Sequence, residues 1–343
     1  MPRLVGIEIT RRCNFRCAHC FVDAGQPRAR EATRTQWQHV LNECAATGTQ
    51  AVAFSGGEPL VSNDLIPLIA HARALGLRTS VVSNGYLATR WQLQALQQAG
   101  LQTIQISLDG PDASRAERFR KGPSDAFTRA VDALRDSVAL GLDTHICSLL
   151  APETAPDIDA MLELAQTLGV PNLRYTVWAP VGRAAGTAYD ERHWQTDAMT
   201  HFLQRAAEHR AQGLVRITLD CPTGPLPFRL ALGCAAGREL AYVTAEGDVY
   251  PCTALLFPTY RVGNLFTEGV ASVWQAPTLL KLERQRRRLQ PSGSCKTCGL
   301  VEHCRGGCAG RIMAAYGTLH GKPQGAVMPV CLYRLFTPPT SPG

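Results

Sequence analysis

The chain has 343 residues, enough for about two domains with a sizeable core, and its 45% hydrophobic and 18% charged residues are ordinary for a globular protein. No run of about 20 apolar residues is present to span a bilayer, and the start, Met-Pro-Arg-Leu-Val-Gly-Ile-Glu-Ile-Thr, lacks the basic end, long apolar stretch and cleavage site of a signal peptide. This reading excludes a membrane protein and expects a cytoplasmic, reducing compartment. Thirteen cysteines in such a compartment argue for metal or redox chemistry rather than disulfides. They cluster, three at 13 to 20 and seven between 234 and 331, leaving Cys44, Cys147 and Cys221 scattered. The formal charge of +7 is gathered partly at Lys281 to Arg288. That run reads as the solvated face of a helix, or as a contact for an acidic partner; without interleaved aromatics, nucleic acid is not expected.

The first apolar run, Leu4 to Ile9, reads as a strand and leads into Cys13-x3-Cys17-x2-Cys20, with Phe21 after it. Three thiolates at this spacing can hold three corners of a four-iron cluster and leave one iron without a protein ligand. Two other readings stand beside it: one apolar helix face, or a zinc site completed by His19. Further β-rich runs follow at Ala51 to Ser55, Thr79 to Ser83, Thr103 to Leu108, Thr144 to Leu149 and Leu173 to Trp178, each nearly apolar, as strands buried on both faces should be. Between them Thr33 to Thr47, Asn63 to Leu75, Thr89 to Ala99, Pro123 to Leu140 and Ala155 to Leu168 have helical periodicity, each ending at a glycine (48, 76, 100, 141, 169). Such alternation specifies a parallel sheet with right-handed crossovers, open or closed into a partial barrel. Function then belongs in the loops after the strand C-terminal ends. Those loops carry the cysteine triad, Gly56-Gly57-Glu58-Pro59, Asn84-Gly85, Asp109-Gly110-Pro111 and Pro180-Val181-Gly182-Arg183, five loops expected to form one site.

A further amphipathic helix, Asp190 to Gln212, precedes the linker Pro222 to Pro227. Beyond it the chain changes character. Ala241 to Val243 and Asp248 to Tyr250 read as a hairpin around Glu246-Gly247. Ser292 to Gly310 is too poor in apolar residues to form a core unaided, so metal would have to hold it. The tail from Pro338 to Gly343 reads as disordered.

Together the Cys13, Cys17, Cys20 triad, Gly56-Gly57-Glu58-Pro59, Ser83-Asn84-Gly85 and Ile106-Ser107-Leu108-Asp109-Gly110 resemble the radical S-adenosylmethionine superfamily over about the first 185 residues. The resemblance implies an α/β fold, a partial (β/α)6 TIM-like barrel. It also implies that Cys13, Cys17 and Cys20 hold a [4Fe-4S] cluster with S-adenosylmethionine on its fourth iron. Gly56, Gly57, Glu58 and Pro59 would receive the methionine amino group, Ser83 and Asn84 would lie by the ribose, and Ser107 and Arg120 by the methionine carboxylate. Val181 to Ala184 would line the adenine side. Cys234-x12-Gly247-x4-Cys252, Cys295-x2-Cys298-x5-Cys304-x3-Cys308 and Cys331 resemble the SPASM extension of that superfamily, which usually binds two auxiliary iron–sulfur clusters. By that analogy Cys295, Cys298, Cys304 and Cys331 ligate one cluster, and Cys234, Cys252 and Cys308 the other. Cys221 is its fourth ligand or a buried thiol. Domain bounds follow as 1–185 for the barrel, 186–230 for helix and linker, 231–335 for the SPASM-type domain and 336–343 for the tail.

The resemblance further implies reductive cleavage of S-adenosylmethionine to a 5′-deoxyadenosyl radical that abstracts hydrogen from a substrate, with electrons from a donor such as flavodoxin or ferredoxin. Peptide maturation of the ribosomal-peptide type is one expected use; modification of a heme-type tetrapyrrole, a sugar or another small molecule is the alternative. Thr253 stands where sulfatase-maturing relatives have Asp, against that branch. Few residues precede the first strand, so a separate leader-binding protein is an expected partner for a peptide substrate. A non-catalytic metal-binding scaffold is the reading from another class, and the intact Gly56-Gly57-Glu58 loop argues against it.

Overall fold

A computed structural model of the protein describes residues 1–25, 31–187, 194, 196–213, 215–220, 234–287, 295–296, 298–305, 307–319 and 331. Cys221, the linker 222–227 and the tail 338–343 lie outside the described residues. Strands β1 (Leu4–Glu8), β2 (Ala51–Ser55), β3 (Arg78–Ser83), β4 (Thr103–Ser107), β5 (Asp143–Leu150) and β6 (Asn172–Val177) alternate with helices α1 (Arg34–Ala46), α2 (Leu65–Ala74), α3 (Arg90–Gln98), α4 (Ala113–Ala116), α5 (Ala126–Ala139) and α6 (Ile158–Thr167). Polar side chains start several of these helices. Thr33 caps α1 in a reciprocal box with Gln36, and Thr89 and Asp112 accept the first free N–H groups of α3 and α4. The five expected glycines stop their helices with φ between 67° and 100°, a region open to glycine.

Every neighbouring pair from β1 to β6 is parallel. Two findings go beyond the sequence reading. After α7 (Asp197–Gln212) a seventh strand, β7 (Arg216–Leu219), adds parallel to β6; four residues are too few to give a periodic signal. The hairpin β8 (Leu240–Val243) and β9 (Asp248–Tyr250) forms as expected, yet β8 pairs parallel with β1, Leu4 opposite Leu240 and Ile7 opposite Val243. With β10 (Gly263–Asn264) one ten-stranded sheet results, in the order β10-β9-β8-β1-β2-β3-β4-β5-β6-β7. The cysteine-rich region is therefore joined to the barrel by backbone hydrogen bonds.

Burial corrects a second expectation, that these strands are apolar on both faces. Along β2, β3 and β4 fully buried residues alternate with half-buried ones. Val52, Phe54, Val81, Ile104, Ile106 and Ile146 turn outward against Trp37, Leu68, Leu93 and Leu134 of the helices, and all of these are at most 1% exposed. The other face carries small and polar groups such as Ala51, Ser80, Thr103 and Gln105, and it lines a cavity of about 780 Å³. Short side chains leave a barrel interior unfilled, so the lumen is a space and not a second core. Among the described residues no helix is long and apolar enough to cross a membrane.

Candidate active site and cysteine centres

The C-terminal ends of β1 to β6 bring the expected loops onto one rim, and the loop after β1 is seated by its neighbours. Gly57 N donates to Thr10 O at 2.8 Å and Glu58 N to Arg12 O at 2.9 Å. At Gly56 and Gly57 an added Cβ would press into the backbone of Thr10, Arg11 and Arg12. Glycine is required there because the two loops touch backbone to backbone. On the other side Arg16 N donates to Lys121 O and Ala18 N to Phe119 O, at 2.7 and 2.9 Å. Cys13, Cys17 and Cys20 are half-buried on this pinned loop. Burial pushes the Cys13 thiol up to about 11 and raises Cys17 as well, the latter against the pull of Arg120 and then Arg183. Thiols desolvated in this way become thiolates when a cation is supplied.

Glu58 turns inward and is fully buried. Its carboxylate accepts from Ser83 Oγ at 2.8 Å, Asn84 N at 2.8 Å and Leu60 N at 3.0 Å, tying the loops after β2 and β3 together and capping the turn that Pro59 begins. Burial still dominates and raises its pKa to about 7. An ammonium placed against its remaining acceptor capacity would draw the carboxylate back to its charged form. Asn84 continues the chain of contacts, Nδ2 donating to Asn14 Oδ1 at 2.8 Å. Ser107 ends β4, half-buried, beside Cys147 in register.

Arg120 is found on Asp109. Nε lies 2.7 Å from Asp109 Oδ2, in an ion pair whose angles are too poor for a hydrogen bond, while Nη2 donates to Oδ1 at 3.4 Å. Asp109 Oδ1 also accepts from Leu149 N at 2.7 Å, and His19 Nε2 is 3.5 Å from Oδ2. Burial alone would lower the Arg120 pKa; the Asp109 carboxylate outweighs it and the net shift is upward. Burial also takes His19 down to about 4, so the imidazole is neutral, and its Nδ1 has no partner among the described residues. The motif Ile106 to Gly110 contains Asp109, to which the sequence assigns no role. Its signal was an acidic residue closing an apolar strand.

Arg183 reaches back to the cysteine loop. Its Nη1 donates to Cys17 O at 2.8 Å, its Nη2 to Ala24 O, its Nε pairs with Asp23 at 2.8 Å, and its own N–H reaches Cys20 O at 2.9 Å. Gly182 lies so close to Cys20 O and Phe21 O that no Cβ fits. The loop after β6 thus clamps the cysteine loop through its carbonyls.

In the C-terminal third, Cys234, Cys252 and Cys308 line one end of the lumen cavity together. Burial first, then the proximity of Cys308 and Cys234, pushes Cys252 up to about 12. Cys295 and Cys298 share a turn, Cys298 N donating to Cys295 O at 3.3 Å, and Cys304 ends the short helix α11 (Val301–Cys304), reached after α8 (Leu265–Glu268), α9 (Val270–Gln275) and α10 (Lys281–Arg287) and followed by α12 (Ala309–Tyr316). Cys331 is half-buried. The basic run is more than a solvated face: Arg286 on α10 is 5% exposed and donates to Gly307 O at 2.6 Å and Cys304 O at 2.7 Å. Among the described residues no group of three His, Cys, Asp or Glu side chains converges on a single metal ion. The donor set is thiols spread along pinned loops, which suits clusters that span several ångströms between ligands.

A parallel barrel with three half-buried thiols on its first rim loop, followed by a cysteine-rich sheet extension, defines an enzyme that uses iron–sulfur chemistry at the mouth of the barrel. Residues 7–165 match the radical SAM superfamily and residues 234–299 an iron–sulfur cluster-binding domain, SPASM. A PqqA peptide cyclase from Bradyrhizobium diazoefficiens is 31% identical over 330 residues, 92% of this chain and 84% of that protein. An AdoMet-dependent heme synthase from Methanosarcina barkeri is 27% identical over 351 residues, 97% of each chain. The crystal structure of Streptococcus suis SuiB bound to precursor peptide SuiA has the same fold, with a TM-score of 0.73 at 17% identity over 91% of this chain and 73% of that one. The chain belongs to the radical SAM superfamily, in the branch with a C-terminal SPASM domain. Its cofactors are accordingly a [4Fe-4S] cluster that works with S-adenosylmethionine and auxiliary iron–sulfur clusters.

Proposed function

We propose that the protein is a radical SAM/SPASM maturase that modifies a peptide. The observation that carries the reading is the pinned loop of Cys13, Cys17 and Cys20, set beside Glu58, with Phe21 at its end on the wall of the lumen that Cys234, Cys252 and Cys308 also line. The 31% likeness to a PqqA peptide cyclase supports a peptide as substrate. The likeness to a heme synthase keeps tetrapyrrole modification as the second reading.

Cys13, Cys17 and Cys20 would hold the cluster, which, once reduced, would supply the electron for reductive cleavage of S-adenosylmethionine and so the radical chemistry that takes hydrogen from an unactivated carbon. The chain's own part is positioning and exclusion of water. Cys13, Cys17 and Cys20 hold the iron; Gly56, Gly57 and Glu58 receive the methionine ammonium; Ser83 and Asn84 flank the ribose. Ser107 and Arg120 lie by the methionine carboxylate, with Asp109 fixing the Arg120 fork and keeping it charged. Residues 1–185 would be the catalytic barrel and 186–230 its connection to the domain at 231–335. There Cys234, Cys252 and Cys308, with Cys221 as fourth ligand, would hold one auxiliary cluster, and Cys295, Cys298, Cys304 and Cys331 the other. A flavodoxin or ferredoxin would deliver electrons, and a separate protein would hold a peptide leader.

The test is anaerobic reconstitution with iron and sulfide, reduction by dithionite, addition of S-adenosylmethionine and assay for 5′-deoxyadenosine. Short open reading frames encoded beside this one, co-expressed with it, should give a peptide of altered mass. Absence of 5′-deoxyadenosine, or its undiminished formation by Cys17→Ala, sinks the enzymatic reading. A mass change on a tetrapyrrole in place of a peptide transfers the function to the second reading.

A further inference from the structure

Across the middle of the lumen lies a polar group with no part in the reading above. Arg174, on the inward face of β6, donates from Nη2 to Asp220 Oδ2 at 2.9 Å and from Nη1 to Gln105 Oε1 at 3.3 Å. Cys147, beside it in register on β5, donates to the same Gln105 oxygen at 3.2 Å. The side chains of Arg174 and Asp220 remain 30% and 46% exposed, and both residues line the cavity, so a ligand there can reach them.

An ion pair this open to water contributes little to stability, so the Arg174–Asp220 pair on the cavity wall points to recognition rather than stability. The hydrogen-bond count shows of what. A guanidinium carries five N–H bonds; the two contacts above use two and leave three. The Gln105 amide adds two that reach no described acceptor. Against these stands one open acceptor on the pair, Asp220 Oδ1. A donor-rich, partly dry site of this kind is complementary to a carboxylate, whose two oxygens match the guanidinium fork.

We propose that Arg174, with Gln105 beside it and Asp220 holding its orientation, binds a carboxylate of the substrate, the acidic side chain of a peptide, between the two groups of cysteines. One arginine at this depth suits one carboxylate on a slender arm. The other arginines of the wall are far from it or closed off: Arg3 and Arg78 stand at the opposite strand ends, and Arg311 is 2% exposed. Among the described residues the cavity wall offers a tetrapyrrole with several carboxylates no second open arginine at this level. The source of the carboxylate rests on the peptide reading above; the site itself does not.

The test is calorimetric titration of the cluster-reconstituted protein, without S-adenosylmethionine, by an acetylated and amidated Gly/Ser heptapeptide with one central Glu, by its Gln counterpart and by mesoporphyrin. The Glu peptide is expected to bind about tenfold more tightly than the Gln peptide, the scale of one charge-assisted hydrogen-bonded contact. Arg174→Gln should abolish that preference, and Arg174→Lys, which keeps the charge and loses the fork, should retain part of it. Melting temperatures verify that both variants are folded. A wild-type protein without Glu preference, or a preference that survives in Arg174→Gln, overturns the proposal. Arg174-dependent binding of mesoporphyrin alone overturns the peptide as source and leaves the carboxylate site standing. Failure of the function reading is separable, since it appears as missing 5′-deoxyadenosine while the titrations are unaffected.

Discussion

The two cysteine regions are pinned in the same manner and supported very differently. Each has an arginine reaching in from outside its loop to donate to main-chain carbonyls: Arg183 to Cys17 and Ala24, Arg286 to Cys304 and Gly307. The N-terminal loop is further enclosed by the glycines after β2, by Phe119 and Lys121, and by Glu58 drawing the next two loops together, all on a barrel whose core is continuous. The C-terminal loop rests on a small cluster of buried residues, Ala236, Leu255, Tyr260, Leu282, Ala309 and Leu319. The first site is braced by protein contacts on every side. The second has only a small cluster of its own beside the main core, so iron bound there is expected to supply more of its stability.

Removing the iron ligands should break the comparison most sharply. Cys17→Ala should bring 5′-deoxyadenosine formation to background while the barrel keeps its melting transition. Cys298→Ala should lose auxiliary iron and open residues 295–319 to protease. Equal protease resistance of that segment in metal-free and reconstituted protein would show that the C-terminal region does not depend on iron.

Next in size are glycines at backbone contacts. Gly57→Ala must push the loops after β1 and β2 apart, because the added Cβ meets Arg12 O and Arg11 O. A displacement near 1 Å at a reacting centre costs on the order of 10²-fold in rate, so turnover should fall by about that much with iron still bound. Gly310→Ala, which meets Ala254 instead, should lower the stability of the C-terminal region by roughly 1–3 kcal/mol, the usual cost of overpacking. Melting curves followed beside turnover distinguish the two.

The arginine clamps sharpen the comparison further. Arg183→Ala removes hydrogen bonds to Cys17 O and Ala24 O and the Asp23 ion pair; we expect a loss of about 2 kcal/mol and a changed electron paramagnetic resonance spectrum of the N-terminal cluster. Arg286→Ala should change only the auxiliary spectra. An unchanged N-terminal spectrum in Arg183→Ala would remove Arg183 from cluster positioning.

The smallest expected effect is on pH dependence. Glu58 titrates near 7 in the folded chain and near 4.5 when free. Between these values the unfolded chain has lost a proton that the folded chain keeps, so the contribution of Glu58 to the stability of the metal-free protein is fullest below about 4.5 and is lost as pH rises through about 7. Thermal melts of Glu58→Gln should lack that part of the slope; an identical slope would show that Glu58 is not its source.

Much of this was legible in the sequence. Strand and helix periodicity, threonine caps and terminal glycines are local signals, so all six expected strands and the order of their rim loops follow from the chain itself. The cysteine spacings likewise carry the family, because cluster ligation restricts spacing over a few residues. Other features were not legible. A run such as Lys281 to Arg288 has the same composition whether Arg286 faces water or buries itself against Cys304 and Gly307. Arg183 and Arg120 acquire their partners from loops that precede them by many residues. Gln105, Arg174 and Asp220 become one group only because β4 to β7 are neighbours with their inward faces in register. The sequence by itself determined the first six strands, the helices between them, the order of the rim loops and the family, since those depend on short-range periodicity and spacing. Tertiary structure alone decided which charge meets which and that the lumen stays open, since those depend on strand order and on side chains too small to fill a barrel.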